Sequence, residues 1–283
     1  MSRKYSFLEC MLFLPTGLNK TRLSNRLKGK TILITGASFG IGESLSLMLA
    51  ETGARLILVG RTTDKLEQVK QQVEEKGGKA EIYTADLRDD KQLSGLISFL
   101  NELENGIDIL VNNAGKSIRR SFLDSLERYH DFTRTMAVNY NAPVQLILSL
   151  TPSLIKNKGQ IINVSALNAL LTPAPNWSAY QASKAAFDHW FRSVSPELNA
   201  ENVATTSIYL PLVKTRMIEP TVHYQNKPAM KPEHVARIIC KYMITRRRTY
   251  KQWWGAMAEF FSFLLSPLIV LFFIKTSKKD KRV

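Results

Sequence analysis

The sequence predicts a doubly wound α/β domain, one parallel sheet flanked by helices, followed by a hydrophobic segment in contact with a membrane. Three observations carry this expectation. Short apolar runs alternate with helical patterns over most of the 283 residues, and strands separated by helices pair in parallel through crossover connections. A glycine cluster stands where the first of these strands gives way to a helix. Residues 253–274 abandon the rhythm for an almost unbroken apolar stretch. With 45% hydrophobic residues and no linker or internal repeat, the chain reads as one core with extensions.

The alternation runs in order. "TILITG" (31–36) is short, apolar and bounded by Lys30 and a glycine, the pattern of a strand buried on both faces. "ESLSLMLAETG" reads as helix, "RLILVG" (55–60) as strand, "TDKLEQVKQQVEEKGG" as helix and "AEIYTA" as strand. Helix "DKQLSGLISFLNEL" and strand "IDILVNN" (107–113) follow. After a helical region come strand "GQIINVS" (159–165), a helix over "YQASKAAFDHWFRSVSPEL" and strand "VATTSIYL" (203–210). Residues 213–232 show no clear periodicity, and so long an irregular stretch is expected to be a lid or binding loop. A helix over "PEHVARIICKYMI" and a short last strand near "RTYKQ" close the domain.

The net charge of +15 sits in residues 1–30, 241–251 and 275–283, and the remainder is neutral. Solvated tails and attraction to an anionic membrane surface both account for such blocks; no nucleic-acid-binding motif accompanies them, so no nucleic-acid partner is expected. From Phe260 to Ile274 a helix would cover ~22 Å, short of the roughly 30 Å bilayer core. Starting at Trp253 it reaches further but carries Glu259 along. With basic tracts on both sides, an in-plane or re-entrant anchor is expected in place of a single span. A helix packed on the protein itself or on a dimer partner is the alternative. "YSFLECMLFL" is expected to be a second contact helix, not a signal peptide. Cys10 and Cys240 form neither a disulfide framework nor a metal spacing, and His130, His189, His223 and His234 show none either. The expectation is a reducing compartment, at the cytoplasmic face of a membrane, and no metal.

"TGASFGIG" (35–42) follows a strand and opens a helix. Gly36 permits the tight turn, Gly40 lets backbone approach a pyrophosphate, and Gly42 permits close packing of helix on sheet, with Ile41 between them; the helix N-terminus then faces phosphates. This is the arrangement of a Rossmann-like dinucleotide site, although the spacing G-x-x-x-G-x-G differs from the common G-x-G-x-x-G. The second strand ends in Gly60 and Arg61. Gly60 offers no carboxylate to ribose hydroxyls, while Arg61 can bond a 2′-phosphate, so NADP(H) is expected. Ser38 can add a phosphate bond, Asp86 is placed to meet the adenine, and Asn113, Ala114 and Gly115 can lie along the adenosine ribose. Tyr180 and Lys184 are four residues apart on one helix face. An ammonium beside a tyrosine stabilises the phenolate, and the pair can then pass a proton near neutrality.

Together the TGxxxGxG turn, "NNAG" (112–115), Asn139, Ser165 at the end of the fifth strand and YxxxK resemble the short-chain dehydrogenase/reductase family over residues 31 to about 250. The resemblance implies that residues 31–252 form the catalytic domain, with a basic extension over 1–30 and a tail over 253–283. It makes Tyr180 the general acid for reduction and Lys184 both its modulator and a ribose ligand. Asn139 would hold a water of the proton relay, Ser165 would bond the substrate oxygen, and Val213 and Thr215 would face the nicotinamide carboxamide. Leu212 stands where the family usually has glycine. The family's serine usually lies thirteen residues before the tyrosine; here Ser165 lies fifteen before Tyr180, Leu167 occupies the usual place, and an insertion in the loop is required. Family members commonly pair through the helices carrying Asn139 and Tyr180, implying a homo-oligomer.

A narrower resemblance, carried by "NNAGKSIRRSF", "RYHDFTRTMAVNY", "SAYQASKAAFDHWFR" and "SIYLPLVKTRMIEPT", is to short-chain-type fatty acyl-CoA reductases. It implies hydride transfer from NADPH to a long-chain acyl thioester, protonation by Tyr180, and collapse to aldehyde and CoA, with Arg119 and Arg120 facing CoA phosphates or forming a solvated basic turn. The same residues would serve reduction of a lipid ketone of 3-oxoacyl, sterol or ketosphinganine type. A catalytically silent NADP-binding scaffold is the remaining reading.

Overall fold

The structure is a computed structural model that describes residues 5–279 apart from Pro220, Val222, His223 and Gln225. Seven strands form one parallel sheet in the order β3-β2-β1-β4-β5-β6-β7. They are β1 (Thr31–Thr35), β2 (Arg55–Gly60), β3 (Lys79–Thr84), β4 (Ile109–Asn112), β5 (Gln160–Ala166), β6 (Ala204–Leu210) and β7 (Thr249–Tyr250). The expected strands fall in these places. Every residue of β1 and β4 is buried, as a sheet covered on both faces requires.

Two apolar layers clothe the sheet. On one side Ile32, Ile34, Leu56, Leu58, Ile162 and Ile208 pack against α2 (Lys20–Leu27), α3 (Gly40–Leu49), α4 (Thr63–Glu75) and α9 (Pro232–Thr245). On the other, Leu33, Ile57, Leu110 and Ile161 meet α5 (Asp90–Asn101), α7 (Ala142–Lys156) and α8 (Ser178–Ala200). The alternation of these residues along each strand is the period-two rule of the pleat. Strand order reverses between β1 and β4, so their carboxyl ends open a crevice, the usual place for a ligand in such sheets.

The helical region before β5 is interrupted. Between α6 (Tyr129–Met136) and α7, residues Ala137–Asn141 make a π turn, a widening often found at functional sites. The N-terminal extension is part of the packing: Leu23 and Leu27 of α2 are fully enclosed by the core. Before it, α1 (Phe7–Leu12) is closed by a reciprocal capping box between Ser6 and Glu9.

The apolar tail is two helices, α10 (Gly255–Leu264) and α11 (Ser266–Lys279). Among the described residues no single helix is long and apolar enough to cross a membrane, and this pair meets at 81°. Pro267 explains the break, because it has no N–H to give to the carbonyl four residues back. The ends of the chain meet here: the indole N–H groups of Trp253 and Trp254 donate to the carbonyls of Met11 and Leu12. Glu259 is ion-paired with Lys251.

Candidate active site

At the carboxyl end of β1 the glycine turn has no slack. Gly36 and Gly40 have φ of +68° and +61°, a region that costs other residues strain. A Cβ on Gly36 would lie 2.9 Å from Ala114 Cα, one on Gly40 would lie 2.9 Å from the Thr215 methyl, and one on Gly42 would overlap the Gly36 carbonyl oxygen. The turn is tied to β4 by Asn113, whose side-chain amide donates to the carbonyls of Thr35 and Gly36 at 3.0 and 3.2 Å. Thr35 Oγ1 accepts from the N–H groups of Asn113 and Ala114. Asn113 thus holds the turn, and its amide does not lie free along a ribose. The Gly40 N–H donates to Glu43 Oε2 at 3.2 Å, so an acidic side chain already sits at the α3 N-terminus. Ile41 packs against the core beside it.

The far end of the crevice is crowded with cations. Ser38 is buried with an unpartnered hydroxyl, and any side chain at position 60 would displace that hydroxyl. Arg61 is exposed next to it. Asp86 is engaged by Arg88, at 3.0 Å through Nε and 2.5 Å through Nη2, and this pairing lowers its pKa. Asp86 therefore stands as half of an ion pair, not as a free partner for adenine. Lys116 has its pKa lowered by burial first and then by the like charges of Arg134, Arg61 and Arg88. Arg88 and Lys116 are not marked by any motif in the sequence; the only signal is a basic residue two positions after Asp86 and another directly after "NNAG".

The chemical end gathers around Gly115. A Cβ there would lie 3.4 Å from Asn139 Oδ1, 3.7 Å from Lys184 Nζ and 3.8 Å from Met217 Cε, so four separate segments converge. The π turn delivers Asn139, whose Oδ1 accepts from Lys116 N–H and whose Nδ2 donates to the Lys116 carbonyl and to Ser183 Oγ, each at 2.9 Å. Its side chain is engaged in positioning protein groups. Lys184 Nζ donates to the Val164 carbonyl at 3.2 Å. Tyr180 packs edge-on to Trp177, which stacks on Tyr224 at 5.5 Å.

The expectation of a lowered tyrosine pKa is corrected here. Burial pushes the Tyr180 phenol up to about 12, with Tyr224 adding to the rise. Burial pulls Lys184 down to about 8, and Asp188, one turn further along α8, opposes that fall. The physical reason is that the ammonium is turned to the Val164 carbonyl and desolvation outweighs any attraction between the pair. Asp188 is itself buried, with Oδ1 lacking a partner, and Arg192 stands 3.8 Å from its other oxygen.

Ser165 lies at the end of β5, 4% exposed, with a buried and unpartnered Oγ. Leu167, at the family's usual serine position, is buried. Asn168 has a buried, unpartnered Oδ1, and its carbonyl accepts from Gln181 on α8 at 3.3 Å. Two polar side chains, Ser165 and Asn168, thus bracket an apolar one, and sequence spacing alone does not single out Asn168.

After β6, Val213 bridges to Met230, and the Thr215 N–H donates to the Val213 carbonyl at 2.8 Å. Leu212 leaves the path intact by accepting from Met230 N–H. The segment folds over the glycine turn and encloses a cavity of about 590 Å³ with Phe39, Gly40, Arg216 and Tyr224 in its walls. Arg216 lies over the Phe39 ring at 4.9 Å and brings a cation to a turn that has none of its own. Lys214 is held at 2.5 Å by Glu9 of α1, a carboxylate drawn down to about 2 by Lys214 and backbone donors against the cost of burial. Of the two arginines expected at CoA phosphates, Arg120 is bonded at 3.0 Å to buried Asp131, which also receives Arg128 and Arg134. Arg120 is thereby a structural ion-pair partner, while Arg119 remains exposed with its charge acting on Tyr224. Among the described residues no cluster of His, Cys, Asp and Glu could hold a metal ion.

A doubly wound sheet with a glycine turn at its switch point, and a half-buried tyrosine with a buried lysine one turn along the same helix, defines a nucleotide-dependent oxidoreductase. The model of the short chain dehydrogenases matches residues 30–226, and the chain belongs to that family. It is 43% identical over 234 residues to a fatty acyl-CoA reductase of Acinetobacter baylyi, covering 82% of this chain and 79% of that protein. It is 40% identical over 224 residues to a fatty acyl-CoA reductase of Mycobacterium tuberculosis, covering 79% and 75%. Among solved structures, a metagenomic short-chain oxidoreductase in complex with NADP superposes with a TM-score of 0.67 at 28% identity, covering 77% of this chain and 92% of that one.

Proposed function

We propose that this protein is an NADP(H)-dependent reductase of a hydrophobic carbonyl, acting on long-chain fatty acyl-CoA to give the aldehyde at the cytoplasmic face of a membrane. The convergence of Lys184, Asn139 and Met217 on Gly115 carries the reading, in a chain 43% identical to a fatty acyl-CoA reductase. The residues present fit the dinucleotide. Gly36, Gly40 and Gly42 make a cradle that a Cβ would fill, and the orphaned Ser38 hydroxyl together with Arg61 suits a 2′-phosphate, which favours NADP over NAD. When bound, the dinucleotide supplies the hydride.

The chain's own part is proton delivery and orientation. The Tyr180 phenol, its pKa raised by burial and then by Tyr224, is protonated at neutral pH and can give its proton to the substrate oxygen in reduction. Lys184 keeps a positive charge beside it at the ribose end. Ser165 has a free hydroxyl to give to the same oxygen, while Asn139 positions Lys116 and Ser183. Val213 and Thr215, the latter packed against Gly40 of the glycine turn, would hold the nicotinamide edge.

Apolar side chains of α1, α10 and α11, Phe7, Met11, Phe261 and Phe272 among them, are exposed. An apolar face of this kind supports attachment to a membrane, with the 81° bend favouring an in-plane or re-entrant seat, and pairing of two copies through α7 and α8 is part of the same reading. The test is simultaneous measurement of NADPH consumption and free-thiol release on palmitoyl-CoA by the full-length protein in mild detergent. Coupled loss of NADPH and release of thiol are expected. NADPH oxidation on a long-chain 3-oxo lipid without thiol release from acyl-CoA would establish the ketone reductase instead.

A further inference from the structure

The loop from β5 to α8 faces the tail. A cleft of about 560 Å³ separates Leu170 and Leu171 on this loop from Ala256, Phe260 and Phe263 of α10, with Glu259 in its wall. The separation is built in. Thr172 donates its N–H to Ser262 Oγ at 2.7 Å and its hydroxyl to the Ser262 carbonyl at 2.8 Å, and Ser262 is buried. At the start of α10, a Cβ on Gly255 would lie 3.7 Å from Leu167 Cδ1. So α10 is held near both of its own ends by the first half of the loop between Ser165 and Tyr180.

We propose that this cleft seats the hydrocarbon chain of the substrate and admits it from the lipid phase; the inference rests on the reading of the protein as a reductase of lipid carbonyls. Three features select a hydrocarbon chain over other occupants. The volume lies within the range of about 300–1,000 Å³ usual for small-molecule pockets. One wall belongs to the loop that follows Ser165 and whose first turn carries the unpartnered Asn168 oxygen, and the other belongs to α10, whose Phe263 at 84% exposure is open to the outside. The carboxylate of Glu259, the one acid in the wall, is neutralised by Lys251, and Leu170, Leu171, Ala256, Phe260 and Phe263 supply an apolar side bordered by the hydroxyls of Thr172 and Ser266.

Two measurements on the full-length protein in mild detergent test this. The first is photolabelling with hexadecanoyl-CoA bearing a terminal diazirine, read by peptide mass. Label in the peptides containing Leu170–Leu171 or Phe260–Phe263 is expected, and label confined to other peptides would overturn the proposal. The second is Ala256→Trp, which fills the cleft from an exposed position, with Leu271→Trp on the outer helix as control. Ala256→Trp is expected to raise KM for a sixteen-carbon substrate about tenfold, while KM for a four-carbon substrate and for NADPH stay within about twofold; a tenfold change corresponds to ~1.4 kcal/mol. An equal rise for both chain lengths, or no rise, overturns it. So does conversion of a dimer to a monomer by Ala256→Trp with KM unchanged, which would make the face an interface between copies. Labelling in the cleft without thiol release by the wild type would sink acyl-CoA reduction and leave the cleft standing, with the chain-length comparison then made on 3-oxo lipids.

Discussion

The two ends of the crevice are built on opposite principles. At the glycine turn the backbone does the work: Gly36, Gly40 and Gly42 are in contact with neighbouring atoms at every position a Cβ would take, and Asn113 ties the turn to β4. At the Tyr180 end the groups that matter are buried side chains, and several have polar atoms with no protein partner, Ser165, Asn168 and Asp188 among them. The first end tolerates no added atom. The second holds unsatisfied polar capacity, which costs stability when it is sealed from water and is kept where a substrate will satisfy it.

The comparison is sharpened most by Tyr180→Phe. Loss of the proton donor is expected to lower kcat by about 10²–10⁴-fold, with the KM for NADPH and the melting temperature nearly unchanged; a parallel loss of NADPH affinity would erase the distinction between the ends. Gly42→Val is the converse. Driving a branched side chain into the Gly36 carbonyl is expected to cost about 3 kcal/mol of stability, seen as a lower denaturation midpoint together with weakened NADPH binding. Next comes Ser165→Ala against Asn168→Ala: about tenfold in kcat is expected from losing the hydrogen bond to the substrate oxygen, and the larger effect belongs to Ser165. If Asn168→Ala alone is impaired, the amide has taken the place of the hydroxyl. The smallest effect is expected from Asp188→Asn, read as the pH dependence of kcat. Asp188 raises the pKa of Lys184, which stands at about 8; without that charge the pKa falls, and the loss of activity on the alkaline side moves to lower pH. A profile that does not move would mean that Asp188 serves packing alone.

The sheet was legible because its strands are short apolar runs, whose burial needs only that helices cover both faces. The glycine turn and the Tyr180–Lys184 pair were legible because each is local, a few residues whose spacing has one geometric meaning. What escaped depends on where side chains turn and on segments that only the fold brings together. Asp86 and Arg88 both stood in view, yet their pairing follows from side-chain rotamers and not from spacing. The rise of the Tyr180 pKa reflects burial first and then the charge of Tyr224, which comes from a segment with no periodicity to read. That Arg120 serves Asp131 and not a ligand could not be seen until α6 was placed. The break in the tail had a signal, Pro267, though not its angle.

The junction between the chain's two ends sets an order of events during synthesis. The capped helix α1 is made first, yet the indoles that hold it are 242 residues away, and its buried Glu9 waits for Lys214 and Ala229. At roughly 5–20 residues per second of translation, α1 passes something like 12–50 seconds without those partners. A late segment of the chain therefore completes an early one, and a ribosome stalled before Trp253 would leave an unlatched helix available to whatever chaperone or bilayer is nearest.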